Sequence, residues 1–431
     1  MSIHWGGRGA GHISRWSAPL IGAPALSIDF LSGTLDSRVT FTRASTATFV
    51  GSNGLIQSAA INIPRFDYDP VTLAAKGLLI EEQRINLQTY SEQFDNVVWN
   101  ASVSLTIAAN TTTSPDGTNT ADRGTRTTTA AGENMRRAAT TQAINTTYTL
   151  SIYVKANTAG ARLYVRNLAV NNTITTGVVQ FNPADGTVST TYGSTYVGKA
   201  TMTAAGNGWY RCSITGTTPA VVATNFIDIG VTDGTSAVGG NAANSVFIWG
   251  AQLEAGAFVT SYIPTVASSV TRSPDIASIT GTNFSSWYNA SEGSFVATYE
   301  ASPNTFTTYL AASNGVVAQN SMHMDNDGAG NMRVAYYSGS SAVALLSLGA
   351  VGTINAVNNI ATAYKVNDFA ASRNGGAVVT DTAGAVPVSV TQLNIGADPS
   401  GAAVNVSNTH IRKITYYNKR LLNSQLQTLT Q

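Results

Sequence analysis

The sequence predicts an all-β protein built from antiparallel β-sandwiches, and three observations lead to this fold class. Only 11% of the 431 residues are charged, against about 25% in an ordinary globular protein, and small polar residues are abundant. Short runs alternate between apolar and polar residues, as strands with one buried face do. Turn-forming sequences such as Ser114 to Gly117 and Asn182 to Gly186 separate these runs at the spacing typical of a sandwich.

Composition excludes several classes of protein. The net charge is +1, and no basic block is interleaved with aromatic residues, so we expect no nucleic-acid partner. The apolar stretches are far shorter than the roughly 20 residues of a membrane helix, and the N-terminus lacks the apolar core of a signal peptide. We therefore expect a protein made in the cytoplasm without membrane insertion. The single cysteine, Cys212, excludes an internal disulfide and is predicted to be a buried thiol.

Residues 1–88 differ from the rest of the chain and are predicted to form an extended N-terminal arm. Four glycines lie between residues 6 and 11, and prolines follow, which argues against a core of its own. Short strand-like runs then appear at 26–30, 39–43 and 48–50. Because such an arm cannot bury these apolar residues alone, we expect it to bury them against a partner.

Three segments of this arm resemble a linker module that recurs in virion proteins of tailed bacteriophages. They are Arg43 to Val50, Pro64 to Pro70 and Gly77 to Leu87, in the same order as in that family. The resemblance implies a structural protein of the virion, attached to other virion proteins through residues 1–88. Within the third segment Glu81, Glu82 and Arg84 form a compact charge cluster, which we expect to fix a backbone junction rather than to perform chemistry.

The second block, residues 89–268, resembles the jelly-roll carbohydrate-binding modules attached to glycan-degrading enzymes. The residues that support the resemblance are Tyr148 to Lys155, Gly208 to Arg211 and Ile248 to Glu254. The first of these segments alternates cleanly, and the last is a short apolar run that suits a buried strand. Trp249 within it is predicted to belong to the core.

The third block, residues 269–431, resembles the lectin-like sandwich of concanavalin A and laminin-G domains. Its main signals are the alternating run Glu292 to Tyr299, a hairpin over Val366 to Gly376, and a final strand that leads into a short helix. The adjacent Tyr416 and Tyr417 should lie on opposite faces of that strand. The apolar side of the closing helix is predicted to consist of Leu421, Leu422, Leu426 and Leu429.

Sugar binding requires exposed aromatic faces flanked by polar groups, and several residues are candidates for such a site. For each of them packing in a sandwich core is the alternative. The predicted ligand-binding residues are Tyr192, Tyr196, Trp287, Tyr288, Tyr336 and Asn374.

One segment has the oxygen-rich, glycine-bent composition of a calcium loop, with Asp325, Asp327 and Asn331 as candidate ligands. Calcium prefers six to eight oxygens, and the distal glutamate of an EF-hand is absent. A hairpin turn between residues 321–324 and 332–336 explains the same composition. No other cofactor is predicted, because the four histidines have no metal-ligand spacing.

Three functions remain open from the sequence. The favoured one is a tail fibre or receptor-binding protein that adheres to host surface polysaccharide, and the second is a capsid decoration or head fibre protein without sugar specificity. A glycan depolymerase is less favoured, because it needs two carboxylates about 5–10 Å apart in a groove. The pairs Asp67/Asp69, Glu81/Glu82 and Asp325/Asp327 show no link to a cleft. We therefore predict a non-enzymatic virion protein, and a homotrimer because fibre-like proteins usually have cyclic symmetry.

Overall fold

The structure is a computed structural model that describes residues 21–99, 105–129, 135–138, 142–170, 177–196, 198–222, 225–303, 306–401 and 405–431. The start of the predicted attachment arm, residues 1–20, lies outside this range. The all-β class is confirmed, since four antiparallel sheets form two sandwiches. None of the helices in the described ranges is long and apolar enough to cross a membrane.

Strands occur in all three blocks of the sequence. The first block contains β1 Leu26–Asp29, β2 Thr40–Thr42, β3 Ala47–Val50, β4 Ile56–Ala59, β5 Phe66–Tyr68, β6 Ala75–Ile80 and β7 Arg84–Asn86. The second contains β8 Leu105–Thr112, β9 Ala121–Arg126, β10 Met135–Ala138, β11 Thr147–Ala156, β12 Arg162–Asn167, β13 Val178–Asn182, β14 Thr187–Tyr192, β15 Ala200–Ala204, β16 Trp209–Thr217, β17 Phe226–Thr232 and β18 Ser245–Ala255.

The third block contains twelve strands and two short helices within the described ranges. The strands are β19 Val270–Arg272, β20 Ile276–Thr280, β21 Glu292–Glu300, β22 Phe306–Ser313, β23 Ser321–Asp327, β24 Asn331–Ser338, β25 Ser341–Ala350, β26 Val357–Lys365, β27 Asp368–Arg373, β28 Val379–Asp381, β29 Gln392–Ile395 and β30 Thr409–Tyr417. The α-helices are α1 Thr282–Ser285 and α2 Asn423–Leu429, and 3-10 turns lie at Phe30–Ser32 and Val97–Trp99.

The second block forms a sandwich of a five-stranded sheet (β10-β17-β12-β13-β14) and a six-stranded sheet (β15-β16-β11-β18-β9-β8). Alternate residues of β11, such as Ile152 and Val154, point into the core between the sheets. Cys212 lies in this core, as predicted. Trp249 is also buried, in a second apolar cluster that includes Trp209. The core contains a cavity of about 10 Å³ with an apolar lining, which is too small for a ligand.

The C-terminal sandwich includes strands from the first block. One sheet has the order β28-β27-β26-β21-β30-β6-β5, with β1 also paired to β30, and the other has the order β2-β20-β29-β22-β23-β24-β25. The described part of the first block therefore differs from the predicted extended arm. Leu26, Ile28, Leu78 and Ile80 enter the core of the C-terminal sandwich. These apolar residues of the first block are buried against the third block of the same chain.

The end of the chain agrees with the predicted strand and helix. Tyr416 and Tyr417 lie on opposite faces of β30, as expected, and Tyr416 belongs to the main core. The outward face is nevertheless buried too, because Leu421 and Leu426 of the closing segment pack beside Tyr417. Leu422 alone of the four predicted apolar residues is exposed. Both faces of the last strand are thus covered, so neither tyrosine can contact a ligand.

Candidate functional site

Three of the predicted sugar contacts are core residues. The Tyr196 hydroxyl donates a hydrogen bond to the carbonyl oxygen of Asn167 at 3.3 Å. The indole Nε1 of Trp287 donates to a backbone carbonyl within its own helical turn at 2.6 Å, and the Tyr336 hydroxyl lies 2.7 Å from the Thr362 hydroxyl. All three rings are buried. The structure corrects their assignment as sugar contacts, because none presents a face to solvent.

Two other candidates also have structural partners in the C-terminal sandwich. Tyr288 is half-buried and stacks on Phe284 with ring centroids 4.7 Å apart, and burial raises the pKa of its hydroxyl. Asn374 is exposed in the turn after β27, and its side-chain oxygen accepts a hydrogen bond from the backbone N–H of Asn359 at 2.8 Å. These two residues therefore stabilise a core edge and a hairpin, and they do not converge on a common surface with Tyr192.

The segment from Asp325 to Asn331, for which a calcium loop and a hairpin turn were both open, is a hairpin turn. The carboxylate of Asp325 binds Arg333 through two hydrogen bonds of 2.9 and 3.1 Å. The Asp327 carboxylate accepts from the backbone N–H groups of Ala329 and Asn331 at 2.8 and 3.0 Å. Strands β23 and β24 pair on either side of it. No metal-binding cluster of acidic, histidine or cysteine residues occurs in the described part of the chain, and the loop's oxygens are used by the turn itself.

The carboxylates of Asp67 and Asp69, one of the pairs considered for catalysis, also form hydrogen bonds within the fold. Asp69 accepts hydrogen bonds from the N–H groups of Val71 and Thr72 at 2.9 and 2.7 Å, which closes the turn after β5. Asp67 accepts from the Val50 N–H at 2.6 Å. Both carboxylates are therefore hydrogen-bonded to the backbone, and this geometry offers no support for glycan hydrolysis.

Sequence reasoning missed a Ser-His-Asp arrangement on β23. Ser321, His323 and Asp325 alternate along the strand, so all three side chains lie on the outer face of the sheet. The Ser321 hydroxyl lies 2.7 Å from His323 Nε2, but His323 Nδ1 lies 3.8 Å from Asp325 Oδ2. Ser321 is completely buried. A nucleophile must reach its substrate, so Ser321 and His323 form a buried hydrogen-bonded pair and the three residues are not a catalytic triad.

The outer face of the five-stranded sheet has a more suitable chemistry for a ligand. We call Tyr164, Arg166, Gln180, Tyr192 and Asp228 the polar face. Their neighbours Leu163 and Val165 point into the core, so alternation along β12 places Tyr164 and Arg166 outside it. Register pairs Tyr164 with Gln180, and Arg166 with Asp228. Of these five residues, the sequence analysis predicted only Tyr192. The alternation of apolar and polar residues along β12 was the signal that could have identified the others on that strand.

Two polar atoms of the polar face have no hydrogen-bond partner among the described residues. Arg166 Nε donates to Asp228 at 2.6 Å, yet its Nη1 has none. Gln180 Nε2 donates to the carbonyl oxygens of Ser236 and Ala237 at 2.6 and 3.1 Å, whereas its Oε1 has none. Both side chains are buried. An unpaired buried polar atom costs free energy, and a polar ligand could satisfy both atoms.

A second set of charges joins the N-terminal segment to the connection between the sandwiches, and we call it the charged junction. Its acidic members are Glu81 and Asp275, and its basic members are Arg43, Arg65 and Arg272. All five side chains are buried. The Glu81 carboxylate accepts hydrogen bonds from Arg65 and Arg272 at 2.7 Å each. Asp275 accepts from Arg43 at 3.1 Å and also pairs with Arg65.

Electrostatics keep the Glu81 carboxylate ionised. Burial alone would raise the pKa of Glu81, but the charges of Arg272 and Arg65 lower it well below its ordinary range. Ser261 adds two hydrogen bonds of 2.7 Å to the same carboxylate, one from its N–H and one from its hydroxyl. The expectation that the Glu81 cluster fixes a backbone junction agrees with this geometry, because its partners come from residues 43–65 and from 261–275.

Asn86 extends this connection into the jelly roll. Its Nδ2 donates to the carbonyl oxygens of Ala251 and Ile263 at 3.1 and 2.8 Å. Its Oδ1 accepts from the N–H of Leu253 at 3.0 Å. The segment from Gly77 to Leu87 therefore contacts both sandwiches, with β6 in the C-terminal sheet and Asn86 against β18.

A third polar cluster surrounds His410 on β30. His410 Nε2 lies 2.8 Å from Asp67 and Nδ1 lies 2.8 Å from Glu300. Lys76 and Arg412 also approach Glu300, at 3.1 and 3.2 Å. Burial and the charge of Lys76 would lower the pKa of His410, but hydrogen bonds to Asp67 and Glu300 outweigh them and raise it above its ordinary value of 6.5.

This geometry predicts a pH-dependent stability difference between the wild type and a His410→Gln variant. Because the folded-state pKa of His410 is raised, its contribution is complete below the unfolded pKa and is lost as pH rises through the folded pKa. We expect the destabilisation by His410→Gln to be larger at about pH 6 than at about pH 9. Urea unfolding at both pH values measures it. A destabilisation that is equal at the two values would show that protonation of His410 is not involved.

Comparisons with known proteins give limited similarity. No family model and no curated protein matches the sequence. Among solved structures, the chain is similar to the CBM40 of the Ruminococcus gnavus IT-sialidase bound to α2,3 sialyllactose. The sequence identity is 17% and the TM-score is 0.31, and the match covers 34% of this chain and 86% of that one. It is also similar to the NanB sialidase of Streptococcus pneumoniae, with 17% identity, a TM-score of 0.31, and coverage of 36% of this chain and 26% of that one.

The leech intramolecular trans-sialidase is a third example, with 15% identity, a TM-score of 0.29, and coverage of 33% of this chain and 23% of that one. In NanB and in the leech enzyme, the matched part is about a quarter of the other protein. These neighbours contain β-sandwiches and include carbohydrate-binding modules of sialidases. At such low TM-scores the likeness carries no argument about function.

Proposed function

We propose that this chain is a structural display protein of a tailed-bacteriophage particle, made in the host cytoplasm, which presents a glycan-binding jelly roll at the particle surface. Residues 1–20 would provide attachment to other virion proteins, while residues 21–88 connect the two sandwiches. The assignment to a phage rests on the resemblance of the segments Arg43 to Val50, Pro64 to Pro70 and Gly77 to Leu87 to a virion linker module.

The observation that supports a display role most directly is the charged junction. A flexible tether would have an exposed, polar connection between its domains. Here Glu81 and Asp275 are buried with three arginines at the point where the chain passes from one sandwich to the other. Such a connection fixes the position of one domain on the other, which is useful where a binding surface must project in a defined direction from a large particle.

The polar face is the surface that best suits a glycan in this proposal. The half-buried Tyr192 offers aromatic carbons to the apolar side of a sugar ring, and Arg166 and Gln180 offer a donor and an acceptor that are unpaired among the described residues. Part of the face is covered by the segment that contains Ser236 and Ala237, so binding would displace this segment from Gln180. Weak affinity at one copy would be multiplied by many copies on one particle.

We expect a Tyr192→Ala variant to lose about tenfold in affinity for a glycan that the wild type binds, since one aromatic stacking contact is removed. An array of bacterial surface polysaccharides, followed by titration of the best ligand, measures this loss. Phe247→Ala is the matched control, because Phe247 is a half-buried aromatic residue on the other sheet of the same jelly roll. Equal affinities of the two variants would exclude the polar face as the glycan site.

One observation favours a second function, that of a capsid decoration or head fibre protein without sugar specificity. Trp287 and Tyr336 are core residues, so the lectin-like sandwich loses two of its four candidate sugar contacts. If the wild type binds no polysaccharide on the array, even when it is displayed at high valency, this second function is preferred. A tagged chain located on the head of the particle would agree with it.

A further inference from the structure

The edge strand β25 is a feature that the display function does not explain. It lies at one end of the seven-stranded sheet and has ten residues, more than any other edge strand in the described ranges. Its sequence, Ser-Ala-Val-Ala-Leu-Leu-Ser-Leu-Gly-Ala, contains neither a charged residue nor proline. Edge strands of soluble proteins are normally protected from pairing by short length, charge or proline, and β25 has none of these protections.

The ends of β25 are covered, but its middle is open. Gly384 approaches the carbonyl oxygen of Val343 near one end, and Arg373 donates a hydrogen bond to the Ala350 carbonyl at 2.6 Å at the other. Between them, residues 344–349 make no backbone hydrogen bond to any described segment except β24. Within the described part of the chain, this stretch therefore has free N–H and C=O groups along one side.

The side chains of the open stretch suit a strand of the same sequence. Ala344 and Leu346 point into the core, whereas Leu345 points outward and is 53% exposed. If two copies of β25 run antiparallel with Leu345 at the centre, Leu345 lies opposite Leu345 of the second copy on the outer face. Ala344 then lies opposite Leu346 on the core face, so a small residue meets a large one. No like charges come together, since the strand has none.

We propose that β25 pairs with β25 of a second copy about a twofold axis at Leu345, which joins the two seven-stranded sheets into one continuous sheet. The contact is isologous, because the same strand contributes from both copies. It satisfies free backbone groups of residues 344–346 and buries the exposed Leu345. This contact gives assemblies with an even number of copies, in contrast to the trimer expected from fibre-like symmetry.

A pair of lysine variants tests the twofold contact. Leu345→Lys places two positive charges opposite each other across the axis, and because Leu345 is exposed the fold of each copy should be unaffected. Val357→Lys is the control, since Val357 is 49% exposed on the other sheet. By light scattering the wild type and Val357→Lys should have twice the chain mass of 44.8 kDa, and Leu345→Lys should have the single mass.

Cysteine cross-linking tests the register independently of charge. Residues directly opposite in an antiparallel pair have Cβ atoms about 4.5–5.5 Å apart, so mild oxidation of Leu345→Cys should give a covalent dimer. Val357→Cys should remain a single chain, and the native Cys212 is buried and should not react. A monomeric or trimeric wild type overturns the proposal. So does a Leu345→Lys variant that keeps the double mass while Leu345→Cys fails to cross-link.

Discussion

An Asp275→Ala variant is expected to lose about 3–5 kcal/mol in the free energy of unfolding, the range observed when one partner of a buried ion pair is removed. Arg43 and Arg65 both pair with this carboxylate, and all three side chains are buried. The variant also removes the acceptor for the N–H of Glu81, at 2.9 Å. Two cations and one backbone donor then remain buried with fewer partners, which is why the loss should be large. Urea unfolding followed by tryptophan fluorescence measures it.

The same substitution should change the connection between the sandwiches. If the charged junction fixes residues 261–275, limited proteolysis of Asp275→Ala should cut within this segment while the wild type resists. Asp368→Ala is the control, because Asp368 pairs with Arg420 at 2.7 Å but its side chain is 47% exposed. An exposed ion pair contributes about 0–1 kcal/mol. Similar losses for Asp275→Ala and Asp368→Ala would show that burial of the junction has no energetic consequence.

Short sequence patterns predicted individual strands and turns, because these elements depend on residues that are neighbours in sequence. The alternation from Tyr148 to Lys155 gave β11, and the turn composition around Asp327 gave the hairpin between β23 and β24. Burial was predicted for Cys212 from an alternating run and for Trp249 from a short apolar run, and both residues are buried. A period of two is a direct consequence of strand geometry, so such segments can be read without knowing their partners.

Pairing between strands that are far apart in sequence could not be predicted from such patterns. Strand β1 pairs with β30, with Leu26 opposite Tyr416, and no local property of the first block indicates that it completes a sheet of the third. The candidate ligand residues failed for a related reason. An aromatic residue in a sandwich strand faces either the core or solvent, and a shift of one residue in register exchanges the two. Tyr192 and Tyr196 are only four residues apart, yet the first is half-buried and the second is in the core.

Gly77 shows how one residue of the segment from Gly77 to Leu87 serves the long-range pairing. It lies within β6, which pairs with β30, and its φ of +106° is one that residues with a side chain rarely adopt. A Cβ atom at this position would lie 2.5 Å from the carbonyl oxygen of Ile411 and 3.0 Å from the Cα of Arg412. Both obstacles are backbone atoms of β30, so a rotamer change cannot relieve them.

We therefore expect Gly77→Ala to destabilise the protein by about 2–5 kcal/mol, as the sum of backbone strain and overpacking. Gly339→Ala is a matched control, since Gly339 has a φ of +60° but no atom within 4 Å of the added Cβ. Its cost should be about 1–2 kcal/mol from conformation alone. The difference in urea midpoints isolates the close approach of β6 to β30. If both variants lose the same stability, β6 tolerates a side chain at residue 77, and the N-terminal segment is not docked on the C-terminal sandwich as tightly as the structure requires.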